Sequence, residues 1–507
     1  MLKDMLLIIY FLALLATFSY TYHLFIKHTK NEPFSPPPGP KRLPIIGNIH
    51  RFDFSSPHTC LANLARTYGP IISLQFGSTP VVVVQSAELA KEVLKTQDLN
   101  FCSRPPMVGP RKLSYEGLDI GFCPYNDYFR EIKKISIVHL LNSKRVQSFG
   151  PIRREEISRL LDNISSLSFA SRIVNLSELV TGFSCSNICR MAFGKRYNDD
   201  EEGRSKFYNL LNEAQASFTS FYFAQYFPSI GWLDKLCGQS SRLQTTFEAL
   251  DAFYQQIIDD HLNPTRPDKP DQDDIIDVLL HLQKQRCFPF DLSMNHIKAL
   301  LMNIIVAGID TSAVMIIWAM TQLIKNPSTM KKVQEEIRNA TKNISYIDDE
   351  QVQTLDYFKA VVKETFRLHP AAPLLIAHES TQKTRIKGYD ILPKTLVYVN
   401  AWAIARDPKI WDDPEKFMPE RFVGSSIDVR GNDFELIPFG AGRRICPGLN
   451  LGLANMEITL ANLLKWFDWD LPIGVKKEQI DLDALPGISV NKKNPLCLVA
   501  QKFNELA

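Results

Sequence analysis

A short loop near the carboxyl end, PFGAGRRICPG at residues 438–448, surrounds one cysteine with three glycines and two prolines. The nearest other cysteine along the chain is Cys497, and the nine cysteines of the sequence follow no regular spacing. A disulfide framework or a zinc site needs cysteines paired at short spacing, so neither is favoured. Most of the nine are interpreted as buried thiols in a reducing compartment. For Cys446 four readings remain: half of a disulfide, a zinc ligand, a buried thiol, or a thiolate ligand of a larger cofactor.

The residues around Cys446 favour the thiolate ligand. Backbone N–H groups close to a sulfur stabilise its negative charge, and Gly440, Gly442 and Gly448 permit such an approach because glycine reaches positive φ. The apolar run LNLGLANMEITLANLLKW follows directly, and it predicts a helix whose positive amino end faces the sulfur. Arg444, two residues before the cysteine, is well placed for an anionic group of a cofactor.

The amino-terminal segment at residues 5–26, MLLIIYFLALLATFSYTYHLFI, contains no Asp, Glu, Lys or Arg. As a helix it would be about 33 Å long, enough to cross a bilayer. Basic residues follow it, and the positive-inside rule then places the chain's body in the cytosol and its amino terminus in the lumen. A cleaved signal peptide is the alternative, although no clear cleavage site follows. We predict a retained membrane anchor over residues 1–30.

The rest of the chain is predicted to form a proline-rich hinge (31–48, including SPPPGP) and one catalytic body (49–507). Helical patterns dominate from about residue 87 to 368, and short strands are predicted at IISLQF, VVVVQ, TRIKGYDIL and TLVYVNAW. The expected fold class is mainly α with small β-sheets (α+β). A content of 45% apolar residues supports a large core, and a net charge of +3 gives no argument for nucleic acid.

Two helical segments have unusual compositions. Residues 296–325 are almost entirely apolar and are predicted to form a long helix buried through the middle of the body. Residues 218–232, FTSFYFAQYFPSIGW, hold seven aromatic side chains, which either belong to the core or form a surface that dips into the membrane interface.

Several motifs together resemble the cytochromes P-450. The pattern Phe439-x-x-Gly442-x-Arg444-x-Cys446-x-Gly448 matches the haem-binding signature of that family. Three other landmarks follow the family's order: Ala307-Gly308-Ile309-Asp310-Thr311 resembles the oxygen-activation motif, Glu364-x-x-Arg367 the E-x-x-R helix, and Arg421 in PERF the arginine that completes its triad. The resemblance spans essentially the whole chain. It is similar to the plant microsomal (A-type) class and its large specialised-metabolism branch, and leans toward the aldoxime-metabolising relatives.

The resemblance implies a haem-thiolate monooxygenase that uses O2. Cys446 would be the axial ligand of haem b, and Phe439, Gly442, Arg444, Gly448 and Ala307 would contact the cofactor. Asp310 and Thr311 would deliver protons. Glu364, Arg367 and Arg421 would form a buried structural cluster, whereas an isolated E-x-x-R pair on a helix would be only a solvated ion pair.

Three positions depart from the family's usual haem-carboxylate contacts. Phe129 stands where tryptophan is common, Lys133 replaces an arginine, and His378 occupies another arginine position. Arg130 is expected to give additional support. Lysine lacks the bidentate fork of arginine, and a histidine is largely neutral above about pH 6.5. We therefore expect haem to be held less tightly, more so above that pH.

The remaining expectations concern partners and substrate. Because no Gly-rich flavin or dinucleotide fingerprint is found, electrons from NADPH must arrive indirectly, and the resemblance implies a flavoprotein NADPH-cytochrome reductase in the endoplasmic reticulum membrane. Mostly apolar positions suggest a lipophilic substrate such as an alkaloid, terpenoid, phenolic or aldoxime. The residues expected to line its pocket are Leu113, Phe221, Val306, Ile309, Ala313, Ala372, Leu374 and Ile488.

Two other functions are weighed against this one. A haem-thiolate dehydratase or isomerase would need neither O2 nor a reductase, and the intact Asp310-Thr311 pair argues against it. A non-catalytic haem-binding membrane protein would retain the fold alone, and the complete Cys446 loop argues against that function.

Overall fold

The computed structural model describes residues 34–197, 201–266, 273–286 and 288–503. The predicted anchor and the first residues of the predicted hinge lie outside these ranges. Residues 34–42 of the hinge have no regular structure, consistent with their prolines.

α-Helices form close to half of the described chain. They span Pro57–Tyr68, Ala87–Lys91, Asp98–Phe101, Val108–Leu113, Asp127–Lys134, Ser143–Ser148, Gly150–Phe169, Leu176–Phe193, Glu201–Thr219, Phe223–Tyr226, Leu233–Leu236, Gln239–Leu262, Ile275–Gln285, Met294–Lys325, Pro327–Ala340, Asp349–Gln353, Asp356–Leu368, Ala401–Ile404 and Leu449–Trp466.

The central helix, Met294–Lys325, organises the body. Among the described residues it is the one helix long and apolar enough to cross a membrane. Of its most apolar 18-residue stretch, however, 61% is buried inside the protein. Its neighbours include the helix Leu176–Phe193 and the helix Leu449–Trp466. The prediction of a long core helix is therefore confirmed, with its start two residues earlier than expected.

The strands form three small sheets. They are β1 (Ile71–Phe76), β2 (Thr79–Val84), β3 (Val174–Asn175), β4 (His378–Glu379), β5 (Thr384–Ile386), β6 (Tyr389–Ile391), β7 (Leu396–Val399), β8 (Phe467–Asp470) and β9 (Cys497–Lys502). The orders are β1-β2-β7-β4, β3-β9-β8 and β5-β6. β2 runs parallel to β7, with Val81 opposite Leu396, so the largest sheet joins distant parts of the chain.

The predicted strand TRIKGYDIL is a hairpin of β5 and β6. Lys387 and Gly388 form its two-residue turn and both have positive φ, 48° and 84°, as a type I′ turn requires.

The aromatic segment at residues 218–232 belongs to the core in part. Phe218, Tyr222 and Tyr226 are buried, whereas 58% of Trp232 is exposed. The alternative that part of the segment dips into the membrane interface stays a prediction.

Candidate active site

One backbone hydrogen bond and two glycines with positive φ determine the path of the Cys446 loop. The Cys446 N–H donates to the carbonyl of Phe439 (2.9 Å). Gly440 and Gly442 have φ of 70° and 67°. A Cβ atom on Gly442 would lie 2.0 Å from the carbonyl oxygen of Leu94, so no side chain fits there.

The thiol of Cys446 lies immediately before the helix Leu449–Trp466. Burial raises the pKa of this thiol, while a hydrogen bond from the Gly448 N–H acts in the opposite direction. A bound metal ion deprotonates a coordinating thiol outright. A metal ion bound to the Cys446 sulfur would therefore favour the thiolate form.

A largely apolar cavity lies beside this sulfur. Its apolar walls include Phe122, Val306, Ala307, Phe366, Leu375, Phe439 and Ile488, and Cys446 and Gly448 also face it. The walls come from the central helix, from the Cys446 loop and from the chain after the helix Asp356–Leu368.

Basic side chains gather at one end of the cavity, where Arg104, Lys133 and Arg444 line it. The guanidinium of Arg444 donates to the carbonyls of Cys102 (2.7 Å) and Cys123 (2.6 Å). Its carbon lies 3.6 Å from the centre of the Phe129 ring. Phe129 therefore still packs against the arginine.

The Lys133 ammonium donates to the carbonyl of Arg443 at the same end. Arg130 does not line the cavity, and its exposed side chain is paired with Asp127. The expectation that Arg130 supports the cofactor stays a prediction.

His378 also lines the cavity, with its Nδ1 atom 2.9 Å from the carbonyl of Phe101. Its pKa is lowered well below the usual value, first because the ring is buried and then because of the charge of Arg104. A ring that stays neutral across the physiological range does not change charge near pH 6.5. The expected weakening of haem binding above that pH therefore loses its basis.

Arg104 was not identified from the sequence. It is 6% exposed, donates to the carbonyls of Ile376 (2.6 Å), Ala377 (2.8 Å) and Gly121 (3.0 Å), and faces the cavity. A single arginine before two prolines carries no motif signal, and its role depends on tertiary contacts with residues far along the chain.

These residues fit haem. One sulfur can ligate the iron, the apolar walls suit the porphyrin, and the buried cationic end suits the two carboxylates of the group. Arg104 and Arg444 donate to backbone carbonyls. Each guanidinium has further N–H groups that can donate to carboxylate oxygens.

The central helix brings Thr311 to the cavity. The Thr311 hydroxyl donates to the carbonyl of Ala307 (2.6 Å). Asp310, the residue before it, is not among the residues that line the cavity, and its carboxylate accepts hydrogen bonds from Gln215 and Asn491. Burial raises the pKa of Asp310. The carboxyl is thus partly shielded from solvent and is bonded to Gln215, which itself lines the cavity.

Glu364 and its two arginines meet as a buried cluster. Glu364 and Arg367 are both fully buried, and their two hydrogen bonds measure 2.7 and 2.8 Å. Arg421 donates to the same carboxylate (3.1 Å), as does the N–H of Met418 (2.8 Å). The remaining N–H groups of Arg367 donate to the carbonyls of Ala405, Pro414 and Lys416. This is a satisfied cluster, unlike a solvated ion pair.

Three of the expected substrate residues line the cavity: Val306, Ala372 and Ile488. Ile309 and Ala313 do not. They lie on the opposite side of the central helix, buried in the core, where the Ile309 carbonyl accepts from Ser184 (2.6 Å) on the helix Leu176–Phe193.

The other three expected residues lie away from this cavity. Leu113 is buried in the helical core. Phe221 and Leu374 pack against the cluster formed around β1 and β2. None of the three lines the cavity, and their contact with substrate stays a prediction.

A thiol beside an apolar cavity, a cationic end for carboxylates and a hydroxyl on the facing helix define a haem-thiolate enzyme. The chain belongs to the cytochrome P450 family, because the family model "Cytochrome P450" matches residues 37–499. The protein is therefore a monooxygenase that binds haem through the Cys446 thiolate.

The relatives are plant proteins of similar length. The chain is 45% identical to "Cytochrome P450 71A1" of Persea americana, over 90% of this chain and 91% of the relative. It is 44% identical to "5-OH-xanthotoxin synthase" of Pastinaca sativa, over 98% and 99% of the two chains. These likenesses confirm the plant A-type class, whereas the leaning toward aldoxime-metabolising relatives stays a prediction.

The fold is similar to that of a solved zebrafish cytochrome P450 with abiraterone. The TM-score is 0.73 at 24% identity, covering 89% of this chain and 99% of that chain. The predicted fold class, mainly helical with small sheets, is confirmed.

Proposed function

We propose that this monooxygenase oxidises a lipophilic plant specialised metabolite, and that hydroxylation of an aromatic ring is its first reaction to test. The observation that carries the proposal is the apolar cavity between Cys446 and Thr311, which offers no buried carboxylate to a charged substrate among the described lining residues. The name of the Pastinaca sativa relative, 5-OH-xanthotoxin synthase, denotes a hydroxylated product, which supports the same chemistry. An alkaloid, a terpenoid or an aldoxime would fit the apolar walls as well.

Haem ligated by a thiolate supplies the activation of dioxygen when it is bound. The role of the chain is to hold that group and to supply protons. Arg104, Lys133 and Arg444 would hold its carboxylates at the cationic end, and Cys446 would donate electron density from the other face of the cavity.

Protons would reach the cavity through Asp310 and Thr311. The pKa of Asp310 is raised by burial, so this carboxyl exchanges protons closer to neutral pH than an exposed one. Its partner Gln215 faces the cavity. The Thr311 hydroxyl has one hydrogen, which it donates to the Ala307 carbonyl. To pass a proton onward it would release that carbonyl, give its proton toward the cavity and take up another from the side of Asp310.

Electrons would come from an NADPH-dependent flavoprotein reductase. Arg130, Lys134 and Arg443 are exposed near the Cys446 loop, although Arg130 pairs with Asp127 and Arg443 with Asp98. Such exposed cations would suit an acidic partner. Association is expected to weaken as salt is added.

The protein would sit on the endoplasmic reticulum membrane through the segment 1–30, with its amino terminus lumenal, the hinge 31–48 as spacer and the body 49–507 in the cytosol. Exposed apolar side chains on the described body support this orientation. They are Phe34, Leu43, Ile45, Ile46 and Phe54 after the anchor, and Ile230, Trp232 and Leu236 after the aromatic segment. Phe54 links the two groups, because the centre of its ring lies 6.2 Å from that of Phe221 in the aromatic segment.

The proposed function is tested in microsomes that hold the full chain with a plant reductase. Aromatic metabolites, with xanthotoxin among them, are supplied with NADPH and ¹⁸O₂. We expect a product that carries one labelled oxygen and that is absent without NADPH. A product formed equally without NADPH or O2 would identify the dehydratase or isomerase function instead. Binding of no lipophilic compound would favour the non-catalytic function.

A further inference from the structure

Two polar side chains meet inside the cavity wall and take no part in the chemistry described above. Asp119 lies in the connecting segment between the helices Val108–Leu113 and Asp127–Lys134, and it is fully buried. Asn303 lies on the central helix. The Asn303 amide donates to the Asp119 carboxylate over 2.8 Å.

The pair also binds the backbone beside it. The Asp119 carboxylate accepts from the N–H groups of Phe122 (2.9 Å) and Gly121 (3.2 Å). The side-chain oxygen of Asn303 accepts from the N–H of Ile120 (3.0 Å). Three successive backbone N–H groups are thereby fastened to the central helix through one carboxylate–amide contact.

The fastened segment is itself a wall of the cavity. Ile120, Gly121 and Phe122 line it, as does Asn303. The Phe122 ring stacks on Phe218, with ring centres 5.2 Å apart and planes 18° from parallel. Phe218 belongs to the helix Glu201–Thr219, so this wall joins three elements.

The carbonyl side of the same segment is held from the cationic end. Arg104 donates to the Gly121 carbonyl (3.0 Å), and Arg444 donates to that of Ile120 (3.3 Å). Residues 120–122 therefore span the cavity between the arginines expected to hold the haem carboxylates and the central helix. Burial raises the pKa of Asp119 to about 6, so the carboxyl is ionised at neutral pH and accepts all its hydrogen bonds.

We propose that Asp119 and Asn303 form a clasp of positioning residues that sets which ligand shapes the cavity accepts, by fixing Ile120 and Phe122 against the central helix. The proposal rests on the proposed function, because it assigns this wall to the substrate side of the haem. The clasp contributes through geometry and does not touch the reacting atoms, since its polar atoms are already bonded to each other and to the backbone.

The test uses the haem-loaded full chain and two iron-binding probes of different size, imidazole and 4-phenylimidazole. Dissociation constants are read from the shift of the haem absorption band. Three variants are compared with wild type: Asp119→Asn, Asn303→Asp, and the double exchange. Asp119→Asn turns an amide donor toward the Gly121 N–H and the Asn303 amide, and Asn303→Asp sets two carboxylates against each other.

Asp119→Asn leaves a buried N–H donor without an acceptor, and Asn303→Asp places two carboxyls in contact that must repel or share a proton. We expect 4-phenylimidazole to bind about tenfold more weakly to each variant. The dissociation constant of imidazole, the smaller probe with fewer contacts to the walls, is expected to change by less than about twofold. The double exchange restores an amide–carboxylate contact and is expected to return the ratio of the two constants toward the wild-type value. Tyr115→Phe is the matched control. It removes a hydrogen bond of the same connecting segment to Asp251 (2.9 Å), away from the cavity, and should leave the ratio unchanged.

The clasp would be overturned if both single variants keep the wild-type ratio of the two dissociation constants, as when both probes bind equally more weakly. It would also be overturned by a double exchange that keeps the altered ratio or fails to load haem. If the single variants do not load haem, the double exchange alone decides. Because the probes need neither reductase nor O2, failure of the clasp leaves the proposed function standing, whereas failure of the wild type to bind haem would refute the function itself.

Discussion

Glu364→Gln is expected to reduce the free energy of unfolding by about 3–5 kcal/mol and to leave most of the protein without haem. The carboxylate of Glu364 is the common acceptor for Arg367, Arg421 and the N–H of Met418. Glutamine has nearly the same shape but carries no charge, and its NH2 group faces guanidinium donors. Arg367 is fully buried and would then hold an uncompensated charge. Because whole domains are stable by only about 5–15 kcal/mol, this loss is a large share of the total.

The measurement is thermal unfolding of the purified protein together with its haem content per chain. Glu88→Gln is the matched control, since Glu88 pairs with Lys387 over a similar distance (2.6 Å) but is 73% exposed. Exposed ion pairs contribute little, so the control should unfold close to wild type. A Glu364→Gln protein with wild-type haem content and unfolding temperature would show that the cluster is not what stabilises this region.

Thr311→Ala is expected to lower product formation about a hundredfold, the range typical of a lost proton-transfer group. The Thr311 hydroxyl lies on the central helix, where it bonds to the Ala307 carbonyl and lines the cavity. Alanine keeps the helix and removes only the hydroxyl and a methyl group. Haem content and the spectral response to substrate should therefore be retained, while product per NADPH oxidised falls.

Thr321→Ala separates this effect from a general loss of helix stability. Thr321 lies on the same helix and its hydroxyl donates to the Ile317 carbonyl (2.7 Å), in the same way that Thr311 bonds to Ala307, but it is fully buried away from the cavity. Product formation by Thr321→Ala should stay near wild type. Equal losses in both variants, or an unimpaired Thr311→Ala protein, would contradict the assigned role.

The parts of the site that follow from the sequence are those made by neighbours in the chain. The glycines, the arginine and the cysteine of the Cys446 loop lie within one short segment, so its backbone path is local. Glu364 and Arg367 are one helical turn apart, and their mutual contact follows from helix geometry. The long central helix was recognisable because an apolar run of that length has few other solutions.

The parts that did not follow depend on which side of an element meets a distant neighbour. Ile309 was expected to line the pocket together with Val306 and Ala313 of the same helix. A helix turns about 100° per residue, however, and packing against the helix Leu176–Phe193 points it the other way. Arg104 and Asp119 were missed for a related reason. Each is isolated in the sequence, and its meaning comes from partners such as Ile376 and Asn303 that only the fold brings close.

The central claim is that the Cys446 thiolate ligates haem, and the reduced carbon monoxide difference spectrum tests it most directly. Full-length protein and Cys446→Ser are compared in microsomes, with equal amounts of folded protein. Wild type is expected to show a strongly red-shifted Soret band that the serine variant lacks, because a thiolate but not a hydroxyl donates enough electron density to shift it. Folded wild-type protein that binds haem without this band, or a serine variant that keeps it, would contradict the account.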